Sequence, residues 1–358
     1  MSPVGSPPAV LAVNCGSTSF KAAVVVDGRS VSSADEPVDS REHLPTIVDA
    51  IVSKVLAQAD VEVPAAVGHR FVHGGPELTR HAKVDGRVRL QLEAAVPFAP
   101  LHLPPALVAL DRLRESWPDQ PHVACVDTAF FADLPLLDQR LPIPAALHEA
   151  GIRRYGFHGL SYEWITGQLG AEGLGRRAVI AHLGGGSSLA ALLDGRPVHT
   201  TMGLTPTGGV LMGTRTGDLD PGVLLYLLRE GGPGSGGMDA DEVAHLVDHE
   251  GGMAGLSGGT SDNIRLLAAR DGGDEQATFA IDAFVRSVAM AVGASAVVLG
   301  GLDTLTFTGG IGEHAEVVRD EVVTALEHLR PFEVHVVADD EQAVIARHTV
   351  ALAGLDVS

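Results

Sequence analysis

The stretch VLAVNCGSTSFKAAVVV, residues 10–26, sets the architecture of this chain. Two apolar runs, residues 10–14 and 21–26, flank the small polar residues CGSTSF, a pattern typical of a β-hairpin with a Gly/Ser tip. The pattern returns later in the chain, where residues 178–183 and 189–193 flank GGGSS. Two apolar hairpins of this kind predict two similar domains.

Around these hairpins, short β-branched segments alternate with longer helical patterns, which indicates an α/β protein with largely parallel sheet. Strands are predicted over residues 10–14, 21–26, 67–73, 88–92, 122–126, 178–183, 189–193, 305–308 and 332–337. Helices are predicted over residues 46–59, 104–116, 162–169, 221–228, 239–247, 262–269, 275–299, 313–329 and 340–350. The loop-rich residues 135–151 mark the expected domain boundary.

Length and composition narrow the class of protein. A chain of 358 residues predicts two domains or one large one, and 45% hydrophobic residues exclude intrinsic disorder. The longest uncharged apolar stretch, between Arg286 and Asp303, is shorter than the ~20 residues that a membrane span needs. The first residues lack the basic region of a secretory signal.

The charge balance narrows the class of protein further. With 25 basic and 45 acidic residues the net charge is −20, which argues against nucleic acid as a partner and favours a soluble cytoplasmic protein. Two cysteines without a CxxC motif make neither a disulfide framework nor a zinc site. Lysine occurs at three positions, so an anion site must be built mainly from Arg, His and backbone N–H groups.

Three glycine-containing turns are candidate phosphate sites. The hairpin tip NCGSTSFK exposes backbone N–H groups that can hold phosphate oxygens, although an ordinary polar turn explains it equally well. In HLGGGSS, three successive glycines cost conformational entropy, so close approach of the backbone to a ligand is the better explanation. In TGGIGE, glycines lie between a strand and a helix predicted to begin at Glu313, which offers its N-terminus to an anion.

Charged side chains next to tight turns form a second group of candidates. Arg and His recur beside Gly or Pro in GHRFVHGG, PLHLPPA, RRYGFHG and LMGTRTGDLDPG. A single histidine of this kind is usually structural, but four such clusters together favour a site. In VDTAF, Asp127 ends a predicted strand, where open α/β sheets place ligand-facing residues.

In this order, the segments resemble the acetate kinase family of short-chain acyl kinases, in the superfamily of acetate and sugar kinases, Hsp70 and actin. The resemblance runs from Val10 to Arg347. The family pattern VNxGSxSxK appears as VNCGSTSFK, GHRxVHGG as GHRFVHGG, PLHNP as PLHLP, HLGNGSS as HLGGGSS and TAGIGEN as TGGIGEH. DTAF and RRYGFHG are intact, and MGLTPxxGxxMGTRxGDxDP is matched from Met202 to Pro221.

The resemblance implies a fold and an activity. The fold would be two duplicated actin-like (RNase H-like) α/β domains with the active site in an interdomain cleft. Residues 1–150, completed by the C-terminal helix at about residues 340–358, would form the N-terminal domain, and residues 151–340 the nucleotide-binding domain. The activity would be reversible, direct in-line transfer of the ATP γ-phosphate to acetate, giving acetyl phosphate and ADP. Mg²⁺ or Mn²⁺ would be required, and the protein would be a cytoplasmic homodimer that binds neither nucleic acid nor membranes.

Roles for individual residues follow from the same resemblance. The catalytic residues would be Arg70, Asp127, His158 and Arg215, with His158 and Arg215 stabilising the transition state and Asp127 helping to position Mg²⁺. The metal residues would be Asn14 and Glu341. The acyl substrate would be bound by Arg70, Val72, Leu101, His102, Phe157 and Pro206. ATP would be bound by Asn14, Ser17, Ser19, Lys21, His182, Leu183, Gly184, Gly185, Gly186, Asp262, Gly310, Ile311, Gly312 and Glu313.

The chain also departs from the family pattern. Gly185, His314 and Leu103 each stand where the family has Asn, and Arg265 is displaced by one place after the SD dipeptide. The chain is shorter than typical members in the regions 31–67 and 319–341. Two alternatives to an acetate kinase therefore stay open: a propionate or butyrate kinase, and a nucleotide-binding sensor with weak turnover.

Overall fold

The computed structural model describes residues 7–16, 19–38, 42–229 and 237–355. The strands are β1 Val10–Cys15, β2 Ser19–Val26, β3 Arg29–Pro37, β4 Ala66–Phe71, β5 Ala82–Lys83, β6 His122–Val126, β7 Arg177–Leu183, β8 Ser187–Leu193, β9 Arg196–Thr200, β10 Thr304–Thr308 and β11 Glu333–Val336. The helices are α1 Leu44–Gln58, α2 Gly86–Ala94, α3 Leu103–Ser116, α4 Leu136–Gln139, α5 Ala145–Glu149, α6 Gly159–Leu174, α7 Pro221–Leu228, α8 Ala240–His245, α9 Gly252–Ser257, α10 Asn263–Asp271, α11 Glu275–Leu299, α12 Gly309–His314, α13 Glu316–Ala325 and α14 Glu341–Ala353.

The chain divides into two compact units. Unit 1 comprises Met1–Ala132, Phe157–Trp164 and Asp340–Ser358, and unit 2 comprises Asp133–Gly156 and Ile165–Asp339. The predicted domain division at residue 150 stays a prediction.

Unit 1 is built on a six-stranded sheet in the order β3-β2-β1-β4-β6-β5. β1 and β2 form the predicted hairpin, in which Asn14 is paired with Lys21 and the Gly16 N–H donates to the Ser19 carbonyl. β1, β4 and β6 run parallel, so their carboxyl ends meet at one edge of the sheet.

Both faces of this sheet are covered. One face packs with α1 and α3 around Leu11, Phe20 and Phe71. The other face packs against the C-terminal helix α14. Gly68 of β4 allows this close approach, because a Cβ there would lie 2.2 Å from Thr349 Oγ1. The last helix of the chain is therefore part of the N-terminal unit.

Unit 2 repeats this plan with a five-stranded sheet in the order β11-β10-β7-β8-β9. β7, β8 and β9 are antiparallel neighbours, and β7, β10 and β11 run parallel. Read from β9, the strand directions match those of the first five strands of unit 1 read from β3. The two hairpins predicted from sequence thus begin two sheets of the same topology.

Helix α11 is the long core helix of unit 2. Among the described residues it is the one helix that is long and apolar enough, by length and composition alone, to cross a membrane. Ile281, Phe284, Val288 and Val292 on it are buried against the sheet and neighbouring helices. A buried face of this kind is typical of a core helix.

One predicted strand is wrong, and one predicted helix has a different start. Residues 88–92 were predicted as a strand but belong to helix α2, because Asp85 caps the helix by accepting from the Val88 N–H and the two buried residues, Val88 and Leu92, lie four residues apart. The helix predicted over residues 313–329 begins earlier: α12 starts at Gly309, and α13 follows after Ala315. The predicted glycine turn is therefore itself the first turn of a helix.

Candidate active site

The parallel strands of unit 1 bring three predicted site residues to one edge of the sheet. In the strand register, Asn14 of β1 lies opposite Arg70 of β4, and Arg70 lies opposite Cys125 of β6. Asp127 follows immediately after β6, in the short helical turn Asp127–Phe131.

Arg70 lies between two carboxylates. Its Nε and Nη2 donate to Asp127 Oδ1 and Oδ2 at 3.1 and 2.7 Å, and its Nη1 is 2.8 Å from Glu341 Oε2. Asn14 Nδ2 donates to the same Glu341 oxygen at 3.1 Å. Glu341 is the first residue of α14, so packing of the last helix on the first sheet brings it to this site. The structure thus joins Asn14, Arg70, Asp127 and Glu341 into one cluster.

This cluster has the chemistry of a magnesium site. Two carboxylates against one guanidinium carry a net negative charge, and Asp127 is fully buried. Carboxylate and amide oxygens are hard ligands, and Mg²⁺ in phosphoryl-transfer sites is usually held by one or two carboxylates plus substrate phosphates. Asn14, Asp127 and Glu341 therefore fit a magnesium ion that arrives with a nucleotide.

His158 has a strained backbone next to this cluster. Its φ is +57°, in the left-handed region that non-glycine residues rarely adopt. Gly159, which follows it, packs on Asp127 so closely that a Cβ would lie 1.8 Å from the Asp127 carbonyl oxygen. Strain of this kind is concentrated at functional sites, which agrees with the predicted role of His158.

The predicted acyl-binding residues lie in both units. The ring of His73 lies tilted against Phe98 and meets Phe157 edge-on, with ring centroids 5.0 and 5.5 Å apart. Val72 and Leu101 are half-buried in the same unit, and His102 directly precedes α3. Pro206 belongs to unit 2, where its carbonyl accepts from Arg215 Nη1 at 3.3 Å. Their binding of an acyl group stays a prediction.

In unit 2, the GGG turn follows His182 at the end of β7. The Gly184 N–H donates to the Gly186 carbonyl at 3.1 Å and to Ser187 Oγ at 3.2 Å. None of these three glycines has a positive φ, and a Cβ on Gly185 would meet no atom within 4 Å. The turn itself therefore does not require glycine at position 185 and leaves open space for a larger side chain, so the approach of a ligand to this turn stays a prediction.

The segment that carries Arg215 docks on this turn. The Gly213 N–H donates to the Gly185 carbonyl at 3.3 Å, and the Met212 N–H donates to the Arg215 carbonyl at 3.1 Å. A turn of π-helix, Leu246–Glu250, supports the segment, since Thr214 Oγ1 donates to the Asp248 carbonyl at 2.8 Å. Burial lowers the pKa of Arg215, and the nearby charge of Asp248 opposes that shift.

The glycines of the TGGIGE segment lie beside His182. A Cβ on Gly309 would be 2.8 Å from the Leu183 carbonyl oxygen, and its φ is +76°, so only glycine fits there. Glu313 Oε1 accepts from the N–H groups of Gly309 and Asp339 at 3.0 and 3.1 Å. His182 Nδ1 is 4.0 Å from Asp339 Oδ2. The structure thus gathers the second and third glycine segments at one edge of the second sheet.

The positions of the other predicted ATP-binding residues say less about nucleotide binding. Ser17 lies outside the described residues. Ser19 is half-buried and Lys21 is exposed on β2. Asp262 caps α10 by accepting from the N–H groups of Ile264 and Arg265, and Arg265 is 80% exposed. Their contacts with a nucleotide stay predictions.

Sequence reasoning missed a charged cluster in unit 1. His81, Glu163 and His348 come from three distant segments and present ligand atoms within 4.8 Å of one another. None of them lies in a recognisable motif. The two isolated histidines and a helix glutamate gave no signal that could have joined them.

Comparison with known proteins decides the family. The acetokinase family matches residues 26–350. The chain belongs to this family. An acetate kinase of Rhodopseudomonas palustris is 47% identical over 72% of the chain, a match that spans 64% of that relative's own length. An acetate kinase of Clostridium botulinum is 35% identical over 89% of the chain and 87% of the relative.

Solved structures agree with this assignment. An acetate kinase from Porphyromonas gingivalis shares 30% identity with a TM-score of 0.83, covering 96% of this chain and 99% of that one. A propionate kinase from Francisella tularensis shares 28% identity with a TM-score of 0.85, covering 96% and 100%. The predicted duplicated α/β fold, the family and the ATP:acetate phosphotransferase activity are confirmed.

Proposed function

We propose that this acetokinase-family chain transfers the ATP γ-phosphoryl group directly to the acetate carboxylate, with Arg70, Asp127 and Glu341 as the centre of the site. The observation that carries this proposal is the cluster at the edge of the first sheet, in which Arg70 is held by both carboxylates. Preorganised charge is what phosphoryl transfer needs, because catalysis there is mainly positioning and electrostatic stabilisation.

The nucleophile needs no general base. Carboxyl pKa values lie near 4, so acetate is ionised at pH 7. Both carboxylate oxygens of Asp127 already accept hydrogen bonds from Arg70. That arrangement suits a group that helps to hold a cation rather than one that removes a proton from a hydroxyl, as a sugar kinase would require.

Asn14, Asp127 and Glu341 are the residues that would hold Mg²⁺, or Mn²⁺ in its place. The ion, when bound, neutralises polyphosphate charge. The residues of the chain supply the rest: Arg70 attracts the acyl carboxylate, Arg215 and His158 bind the transferring phosphoryl group, and His182 with residues 184–186 binds ATP phosphates.

Propionate is the second candidate substrate. The similarity to the Francisella tularensis propionate kinase covers 100% of that structure. Val72 is half-buried, as expected of a residue at the wall of a small apolar pocket. One methylene in such a pocket is worth only about 1–3 kcal/mol, so one side chain can set chain-length preference. The sensor alternative is favoured by the departures from the family pattern at Gly185 and His314 and by the shortened regions 31–67 and 319–341.

We further propose a cytoplasmic homodimer that binds neither nucleic acid nor membranes. The net charge of −20 and the core position of α11 support this location.

Helix α7 supports the dimer: none of its residues is buried, while Val223, Leu225, Tyr226 and Leu228 are 41–52% exposed. Several exposed apolar side chains on one helix are typical of an interaction surface. Light scattering should give twice the 37.1 kDa chain mass, and Leu225→Glu should reduce it to the monomer.

A hydroxamate assay with acetate, propionate and butyrate tests the proposed reaction. Acyl phosphate should form from Mg–ATP only when one of the acids is added. The reaction should have its highest kcat/KM with acetate. A parent that binds ATP but forms no acyl phosphate with any of the three acids would favour the sensor.

A further inference from the structure

Four charged or titratable side chains form a cluster in unit 1 behind the proposed site. Glu163 Oε1 accepts from His348 Nε2 at 2.7 Å and from Arg347 Nη2 at 2.6 Å. Its other oxygen, Oε2, faces His81 Nε2 at 3.7 Å. Glu163 lies on α6, Arg347 and His348 on α14, and His81 just before β5.

Hydrogen bonding fixes the protonation of His81. The Val126 N–H donates to His81 Nδ1 at 3.1 Å, so Nδ1 carries a lone pair and the ring proton lies on Nε2, towards Glu163. Burial lowers the pKa of His81, and the charge of His348 lowers it further, although Glu163 opposes this. His81 is therefore neutral at pH 7.

Glu163 is held ionised. Burial alone would raise its pKa, but the hydrogen bond from His348, the nearby ring N–H of His81 and the charges of His348 and Arg347 lower that pKa well below its usual range. A charged Glu163 ties α14 to α6 through two donors and attracts the His81 ring. Arg80 and Phe130 line the same shallow surface cavity, of about 430 Å³, and the charge of Asp127 also acts on His81.

The cluster touches both elements that carry the proposed metal ligands. Val126, the donor to His81, directly precedes Asp127. Arg347 and His348 lie seven residues or fewer beyond Glu341 on α14, about two helical turns. Fixing the end of β6 and the body of α14 fixes the positions from which Asp127 and Glu341 reach Arg70.

We propose that His81 and Glu163 are positioning residues for phosphoryl transfer, with His81 holding the Val126 N–H beside Asp127 and Glu163 holding α14 so that Glu341 reaches the metal. This inference rests on the proposed roles of Asp127 and Glu341. Removal of residues that hold metal ligands in place typically changes metal affinity or activity by about 10–100-fold.

A metal ion bound by the cluster itself is the competing explanation. The atoms are close enough, but His81 Nε2 carries a proton and Arg347 already occupies Glu163 Oε1. A metal would need His81 to break its bond to Val126 or to lose its one ring N–H proton. The hydrogen-bond network therefore favours the positioning role.

The test compares Glu163→Gln, His81→Ala and His81→Asn with a matched control, Asp49→Asn. Like Glu163, Asp49 joins two helices through short charged contacts: it makes a bidentate ion pair with Arg112, at 2.8 and 2.7 Å, between α1 and α3. Asn at position 81 keeps an acceptor near the place of Nδ1, whereas Ala removes it. For each variant, Mn²⁺–ADP binding is measured by electron paramagnetic resonance, together with kcat, the KM values and thermal stability.

The expected result is about a 10–100-fold fall in kcat/KM for Mg–ATP in Glu163→Gln and His81→Ala, with weakened Mn²⁺–ADP binding and little change in the KM of acetate. His81→Asn should recover most of the loss, and Asp49→Asn should lose stability without losing metal affinity. Equal kinetic losses in Asp49→Asn and Glu163→Gln, or no difference between His81→Ala and His81→Asn, would overturn the proposal. So would thermal stabilisation by Zn²⁺ in the parent that disappears in Glu163→Gln.

Asp127→Asn separates failure of this inference from failure of the proposed site. If Asp127→Asn turns over normally, the site assignment fails. If Asp127→Asn is impaired while Glu163→Gln binds Mn²⁺–ADP like the parent, only the positioning role fails.

Discussion

The guanidinium of Arg70 binds the fully buried carboxylate of Asp127 through two parallel hydrogen bonds, Nε to Oδ1 at 3.1 Å and Nη2 to Oδ2 at 2.7 Å. Bidentate pairs of this geometry are among the stronger charge-assisted contacts in proteins. The pair holds the arginine in place before any substrate arrives, with Nη1 on Glu341. Arg70 thus serves the fold of the site as well as its chemistry.

Arg70→Ala and Arg215→Ala should each lower kcat by about 10²–10³, the usual loss for a group that stabilises transition-state charge. Arg70→Ala should also lower thermal stability, because it leaves the buried charge of Asp127 without its partner. The double variant Arg70→Ala/Asp127→Ala should regain stability but not activity. Steady-state kinetics and thermal denaturation measure both effects, and near-normal turnover in the two single variants would contradict the proposed roles.

Gly185→Asn should tighten ATP binding or raise kcat/KM for ATP. The position has open space for a side chain, and a hydrogen bond to a charged phosphate is worth roughly 1.5–3 kcal/mol. Gly185→Ala is the matched control, since it adds a Cβ without a donor. The measurement is ATP affinity by calorimetry beside kcat/KM, and equal behaviour of the Asn and Ala variants would show that no phosphate lies within reach of this turn.

The hairpins and the position of Asp127 at the end of a strand could be predicted, because they depend on local sequence. The apolar runs around CGSTSF predicted β1 and β2, and the end of the strand predicted over 122–126 predicted a ligand-facing Asp127. The register of β1, β4 and β6, which brings Asn14 and Arg70 to the same edge, came from the structure. In RVRLQL the alternation resembled a strand, but the Asp85 cap and the burial of Val88 and Leu92 made it a helix. The exposed, polar β3 gave no periodic signal.

Long-range contacts could not be predicted from local patterns. Glu341 reaches Arg70 only because Gly68 admits α14 onto the sheet, and the resemblance to the family, not spacing, pointed to it. His81, Glu163 and His348 meet through tertiary packing of three segments, which no local periodicity encodes. The Gly213 contact with Gly185 is of the same kind.

Val72→Ala should broaden the acyl pocket, so that kcat/KM for propionate and butyrate rises relative to acetate. Removing part of one apolar side chain changes discrimination by roughly 1–3 kcal/mol. Val108→Ala, on the exposed side of α3, is the control. The three acids are compared in the hydroxamate assay, and unchanged ratios would mean that Val72 does not line the pocket.

Stability should fall as the pH drops below about 6.5, because of two buried histidines. His69 and His122 share a 2.9 Å hydrogen bond, and burial lowers the pKa of each below the ordinary value of 6.5. Above that value neither folded nor unfolded chain binds these protons. Below it the unfolded chain binds them and the native chain does not, so stability is lost at up to about 1.4 kcal/mol per pH unit for each proton.

Urea unfolding at several pH values between 5 and 8 measures this slope. His69→Asn should flatten it, whereas His314→Asn, which changes an exposed histidine, should not. A slope that survives His69→Asn unchanged would assign the pH dependence to other groups.

Isotope transfer from acetate tests the central claim most directly. Acetate labelled with oxygen-18 in its carboxylate is incubated with Mg–ATP, the acetyl phosphate is cleaved by hydroxylamine, and the released phosphate is analysed by mass spectrometry. Direct attack of the carboxylate on the γ-phosphorus predicts one heavy oxygen in the released phosphate and none in ADP. Unlabelled phosphate, or label recovered in AMP, would contradict direct transfer to the acetate carboxylate.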